Sequence, residues 1–129
     1  MIVDSSAIVG VLRAQPEAAE FAQAIASSKC RTSAVSYVEA AVVIDCAMDA
    51  IASRRFDDFF RASAIVVETV TPKQAEIARY AYRDFGKGRH QAGLNFGDCF
   101  SYALAKEADE PLLFKGDDFH HTDIEAVKR

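Results

Sequence analysis

The stretch MIVDSSAIVGVL, residues 1–12, sets one acidic residue between two apolar runs. Met1–Val3 has the length and composition of a short buried strand, and Ser5–Arg13 is expected to form a short helix. Asp4 therefore stands at the end of the strand. A carboxylate buried among apolar groups is costly unless a cation or a hydrogen-bond donor meets it. We expect such a partner beside Asp4.

The same alternation of short apolar runs and helices continues along the chain. Strands are expected at 1–4, 30–32, 64–70 and 112–115, with a last one near 124–127. Parallel strands joined by helices form a three-layer α/β/α sandwich with a central parallel sheet. No linker divides the sequence, so residues 1–129 are expected to form a single domain. In such open sheets, sites lie beyond the carboxyl ends of the strands.

Helix boundaries can be predicted from capping residues. Ser33 or Ser36 is expected to cap a long, central helix that runs to about Ser53. Thr71-Pro72 marks the start of another helix, and Asn95 caps one that runs to about Asp109. One face of a further helix carries three phenylalanines, which either pack inside or form an interface: Phe56, Phe59 and Phe60.

Composition narrows the class of protein. Half of the 129 residues are hydrophobic and 26% are charged, as in ordinary globular proteins. No apolar run approaches the ~20 residues of a membrane span, and no secretory signal is evident, so we expect a cytoplasmic protein without membrane contact. The three cysteines form no metal-ligand pattern and are expected in the core. The net charge of −4 is unfavourable for nucleic-acid binding, but residues 73–90 are locally basic.

Four acidic residues lie in or beside apolar segments: Asp4, Glu39, Asp98 and Asp117. Asp4 and Asp98 could cap helices, and Asp117 could be a turn residue, but Glu39 has no capping role in mid-helix. No lysine or arginine neighbours the first three in sequence. A hard divalent cation, Mg²⁺ or Mn²⁺, is the simplest partner for several carboxylates. Such an ion supports phosphodiester cleavage by activating water.

Four segments carry a family resemblance that covers nearly the whole chain: VDSSA at residues 3–7, SYVEA at 36–40, NFGDCFSYALAK at 95–106 and LLFKGDDFHHTDI at 112–124. Together they resemble the PIN domain and, more narrowly, the VapC-type toxins of bacterial toxin–antitoxin pairs. The resemblance implies a PIN-like α/β/α fold and a Mg²⁺-dependent endoribonuclease, with Mn²⁺ as a substitute. It also implies an RNA substrate such as tRNA or rRNA, a cognate VapB-type antitoxin and a homodimer.

The resemblance also assigns roles to residues. Asp4, Glu39 and Asp98 match the acidic triad that holds the metal, and Ser6 matches the hydroxyl residue that supports it. The fourth acidic position is open among three candidates, of which Asp117 is preferred: Asp117, Asp118 and Asp123.

The basic segment provides candidates for binding RNA phosphates. Lys87 and Arg89 lie in the glycine-containing loop, and Lys115 lies beside the acids; the loop could equally be a solvated surface. Two other functions remain open. The chain could be a non-catalytic binding module with structural acids, or a nuclease that acts on DNA flaps or structured RNA.

Overall fold

A computed structural model describes all 129 residues, in which a four-stranded parallel sheet is flanked by six helices. The sheet has the order β3-β2-β1-β4. Its strands are β1 (Ile2–Val3), β2 (Arg31–Ser33), β3 (Val66–Glu68) and β4 (Leu112–Leu113). The helices are α1 (Ser5–Leu12), α2 (Ala18–Ala26), α3 (Ala34–Asp45), α4 (Ala50–Ser63), α5 (Pro72–Phe85) and α6 (Phe96–Ala108), and a 3₁₀ turn spans Asp118–His121.

Strands β1 and β4 divide the core into two apolar clusters. Successive side chains of a strand point to opposite faces of the sheet. Ile2 and Leu112 accordingly pack with α5 and α6, whereas Val3 and Leu113 pack with α1 to α4. All four side chains are almost completely buried. The structure therefore has the three layers that the sequence predicts.

Helix caps place the acidic residues at one edge of this sheet. The Asp4 side chain caps α1 directly after β1, and Ser33, at the end of β2, caps α3. Of the two serines predicted as caps, Ser33 is thus the one used. Asn95 caps α6 in a reciprocal capping box with Asp98, as the sequence indicates. Three helix starts thereby meet at the carboxyl edge of the sheet.

The predicted long helix to Ser53 is wrong. The chain breaks after Asp45, Met48 adopts a left-handed φ of 54°, and Asp49 caps a new helix, α4, by accepting a hydrogen bond from the Ile51 backbone. The expectation that this helix is central is also wrong. Val38 and Val42 of α3 are 56% and 59% exposed.

Two further expectations are refined by packing. Phe56 is buried, and Phe59 and Phe60 are half-buried, with Phe60 meeting the Tyr37 ring edge-on at 4.9 Å. The phenylalanine face therefore packs inside. The segment expected as a last strand forms one parallel bridge, between Leu112 and Ala126, instead of a strand.

No helix combines the length and apolar character that a bilayer crossing requires.

Candidate metal centre

Asp4 lies at the end of β1 with only 2% of its surface exposed. Its Oδ2 accepts hydrogen bonds from the Ser6 backbone at 3.0 Å and from the Ser6 hydroxyl at 2.6 Å. Its Oδ1 accepts one from the Ser101 hydroxyl at 2.5 Å, and that hydroxyl lies 2.8 Å from the hydroxyl of Ser36. Hydrogen bonds thus offset much of the cost of burying Asp4, and their donors are one of the two kinds of partner expected beside it.

Glu39 reaches the same region from α3. Its Oε1 accepts a 2.5 Å hydrogen bond from the hydroxyl of Ser5, the residue next to Asp4. Its carboxylate lies against Gly97 in the first turn of α6, where a Cβ atom would overlap it. Burial raises the pKa of Glu39, the Ser5 hydrogen bond opposes that rise, and the charge of Asp4 adds to it. The absence of a side chain at Gly97 therefore makes room for this carboxylate.

Asp98 occupies the first turn of α6. Its Oδ2 accepts a 3.0 Å hydrogen bond from the Asn95 backbone as part of the capping box. Burial raises the pKa of Asp98 to about 7 against this hydrogen bond, and three neighbouring carboxylates raise it further: Asp4, Glu39 and Asp118. Asp98 therefore does help to cap α6, which is the alternative role expected for it. Its ionised form is nevertheless disfavoured in this position, as the raised pKa shows.

The carboxylates of this cluster have no basic partner. None of Asp4, Glu39 and Asp98 forms an ion pair, although eight ion pairs occur elsewhere in the chain. Burial is the main cause of the raised pKa values of Glu39 and Asp98, and the neighbouring carboxylates raise them further. The cluster therefore favours a cation from solution.

The carboxylate oxygens of this site are suitable ligands for Mg²⁺ or Mn²⁺, but they do not surround a common point. No three acidic, histidine or cysteine side chains lie close enough together to hold one ion as they stand. Asp98 is turned toward the Asn95 backbone and Glu39 toward Ser5. The donors are all carboxylate oxygens, which hard divalent cations prefer. One ion held by all three residues would require these carboxylates to draw together.

The structure separates the candidates for the fourth acidic position. Asp123 accepts hydrogen bonds from the Tyr102 hydroxyl at 2.7 Å and from Lys106 at 2.5 Å. Burial acts to raise its pKa, but these two contacts outweigh it and the pKa is lowered. Asp117 and Asp118 are both exposed, and only Asp118 contributes to the raised pKa of Asp98. Of the two, Asp118 is therefore the one whose charge reaches Asp98, while Asp117 is the position that the sequence prefers.

The three basic candidates for RNA binding lie in different settings. Lys87 and Arg89 are exposed and form no ion pair. Lys115 instead points to Gln15 at 2.9 Å and Glu17 at 3.3 Å, while its backbone N–H donates to the Ser6 hydroxyl. Lys115 is thereby tied to the loop between α1 and α2.

Four residues that the sequence reasoning missed support the acids: Ser5, Ser36, Gly97 and Ser101. Ser36 and Ser101 are fully buried, and Ser101 lies 97 residues from the aspartate that it contacts. Only Ser5 and Gly97 carried a signal in the sequence, because each directly adjoins a candidate acid.

Comparison with known proteins identifies the family. A family model for the PIN domain matches residues 1–125. The chain is 51% identical over 127 residues to ribonuclease VapC28 of Mycobacterium tuberculosis, covering 97% of this chain and 96% of that protein. It is 46% identical over 128 residues to ribonuclease VapC of Mycolicibacterium smegmatis, covering 98% and 99%. The expectation of a ribonuclease is confirmed.

Two crystal structures share the fold at low sequence identity. One is VapC20 of Mycobacterium tuberculosis, described as a sarcin–ricin loop-cleaving toxin, with a TM-score of 0.76, 17% identity and coverage of 99% of this chain and 98% of that one. The other is FitAcB of Neisseria gonorrhoeae, with a TM-score of 0.70, 16% identity and coverage of 98% and 96%. The predicted PIN-like fold is thus confirmed. From these matches, the chain belongs to the PIN-domain family and, within it, to the VapC ribonucleases, the toxins of toxin–antitoxin pairs.

Proposed function

We propose that this VapC ribonuclease is a Mg²⁺-dependent endonuclease that cleaves tRNA or rRNA. One observation carries the proposal: carboxylates from the end of β1, from α3 and from the start of α6 lie at one sheet edge without a basic partner. Repulsion among them favours a bound divalent cation. The alternative of a non-catalytic module gives no reason for this uncompensated charge.

Asp4, Glu39 and Asp98 are proposed to hold Mg²⁺, or Mn²⁺ in its place, and Asp118 is proposed as the fourth acid. A bound ion of this kind lowers the pKa of a coordinated water and neutralises charge on the phosphate. Ser6 and Ser101 keep the Asp4 carboxylate in one orientation through their hydrogen bonds. Glu39 is held in the same way by Ser5.

We further propose that a cognate VapB-type antitoxin inhibits the enzyme in the cytoplasm, and that the toxin forms a homodimer. The antitoxin is expected to place an Arg or Lys near Asp4 and Asp98, since a basic side chain can replace the metal among carboxylates. Raising Mg²⁺ should then weaken an antitoxin peptide, and replacing its basic residue should remove that dependence. The homodimer depends on the family resemblance, because the phenylalanine face packs inside.

The proposal is tested by RNA cleavage with purified protein. Wild-type protein should cut RNA internally in Mg²⁺ and stop in EDTA. Asp4→Asn, Glu39→Gln and Asp98→Asn should each lose cleavage while circular dichroism shows an unchanged fold. Asp57→Asn, an exposed acid on α4, is the matched control. Full activity of Asp98→Asn in saturating Mg²⁺ would contradict the site assignment.

A further inference from the structure

A groove of about 470 Å³ runs between α5 and α6. Its walls include Arg79 and Tyr82 of α5 and Phe96 and Phe100 of α6. Phe96 is 72% exposed, and its ring rests edge-on against Phe100 at 5.0 Å. Tyr82 is 41% exposed. The groove therefore presents two aromatic rings to solvent.

Phe96 connects this groove to the acidic cluster. It is the first residue of α6, two positions before Asp98. The same ring also borders a second depression, of about 460 Å³, whose walls include Glu39 and Gly97. A chain that crosses the Phe96 ring from the groove therefore arrives at the proposed metal ligands.

Unpaired positive charge lies in and beside the groove, in a protein whose net charge is −4. Arg79 lies in its wall, and the Arg89 guanidinium sits 5.7 Å from the centre of the Tyr82 ring. The backbone carbonyl of Lys87 accepts a hydrogen bond from the Tyr82 hydroxyl at 3.5 Å. None of these three cations forms an ion pair. No acidic residue lines the groove, so these cations have no anionic partner in its walls.

We propose that this groove binds single-stranded RNA next to the scissile phosphate, with unpaired bases stacked on Phe96 and Tyr82. Arg79, Lys87 and Arg89 contact the flanking phosphates. The inference rests on the proposed RNA cleavage and deepens it by naming the class of substrate. Exposed aromatic rings interleaved with cations are the usual means of holding single strands, because every base has a stacking face.

RNA fits this surface better than a protein segment does. A docked apolar segment would bury three cations that have no anionic partners here, whereas RNA supplies a phosphate for each. A perfect duplex is excluded as the main substrate class, since paired bases cannot stack on protein rings. Loops and other unpaired segments of structured RNA remain suitable.

The test measures binding apart from cleavage. Anisotropy of a fluorescent 12-nucleotide single-stranded RNA is recorded with the full chain in EDTA. Phe96→Ala and Tyr82→Ala should each raise Kd about tenfold, and Phe96→Trp should retain wild-type binding. Arg79→Ala should weaken binding and reduce the slope of log K against log salt by about 0.7.

Helix α5, which carries Arg79 and Tyr82, also contains a matched control pair outside the groove. Arg83 lies 4.6 Å from the centre of the Tyr80 ring, and both residues are exposed but outside the groove. Tyr80→Ala and Arg83→Ala should change Kd less than twofold. Equal losses in this pair, or equal binding of a duplex of the same sequence, would overturn the proposal. Unchanged RNA binding by Phe96→Ala would also overturn it. That result would stand against the proposal even if the variant changed the oligomeric state.

The outcomes distinguish this proposal from the proposed function. If the wild-type protein cleaves RNA in Mg²⁺ but the groove variants bind normally, only the groove proposal fails. If single-strand binding depends on Phe96 and Tyr82 but no RNA is cleaved, the groove proposal stands and the proposed endonuclease activity fails.

Discussion

Asp98→Asn is expected to stabilise the metal-free protein while removing its response to Mg²⁺. The pKa of Asp98 is raised from its ordinary value of 3.8 to about 7. At 1.36 kcal/mol for each pKa unit, the ionised side chain costs up to about 4 kcal/mol of folding stability. Solvent screening at this partly exposed carboxylate reduces the expected value to about 2 kcal/mol. Asparagine can still accept the Asn95 hydrogen bond without a charge.

The sign of the pH dependence follows from the raised pKa. The folded protein retains a proton on Asp98 that the unfolded chain releases near pH 4, so this contribution is greatest below that pH and is lost as pH rises through about 7. Asp98→Asn should therefore gain stability over wild type at pH 7.5 and little at pH 4. Mg²⁺ at one hundred times its Kd should restore about 2.7 kcal/mol to wild type and little to the variant.

Urea unfolding in EDTA and in Mg²⁺, at both pH values, provides the measurement. Asp57→Asn, exposed on α4, is the control and should follow wild type under every condition. The reasoning is refuted if Asp98→Asn is no more stable than wild type in EDTA at pH 7.5. It is equally refuted if Mg²⁺ stabilises both proteins to the same extent.

Three further predictions concern the support of the site and its assembly. Gly97→Ala should displace the Glu39 carboxylate and weaken Mg²⁺ binding at least tenfold, as measured by calorimetry. This loss is expected although alanine improves helix propensity by up to about 1 kcal/mol. Unchanged Mg²⁺ affinity would contradict the role of Gly97. Asp118→Asn should lower cleavage more than Asp117→Asn, because only Asp118 affects the pKa of Asp98; the reverse order in initial rates would favour Asp117. Light scattering at micromolar concentration, without antitoxin, should give the mass of a homodimer, and a monomer would count against that proposal.

Local sequence signals predict most of the fold. Alternating apolar runs and helix caps indicate parallel strands with crossover helices, and the cap at Asn95 with its box to Asp98 is present as predicted. The break between α3 and α4 has one such signal, the cap residue Asp49, but apolar residues on both sides of it also fit a continuous helix. Met48 takes a left-handed φ without being glycine, and an apolar sequence continues on both sides of it. The periodicity of the sequence therefore predicts one continuous helix where the structure has α3 and α4.

The candidate site is predictable only in part, because its supports are non-local. Asp4, Glu39 and Asp98 stand out as acids in apolar surroundings. The contact from Ser101 to Asp4, by contrast, joins residues far apart in sequence and depends on how α6 packs beside β1. The need for Gly97 becomes visible only when Glu39 of another helix is in place.

Calorimetric titration of the metal-free protein with Mg²⁺ and Mn²⁺ tests the central claim most directly. The account predicts measurable binding heat for wild-type protein, and its loss in Asp4→Asn and Asp98→Asn with the fold intact. The control Asp57→Asn should bind as wild type does. Absence of heat with either ion in wild type, or undiminished binding in both site variants, would contradict a carboxylate metal centre at this edge of the sheet.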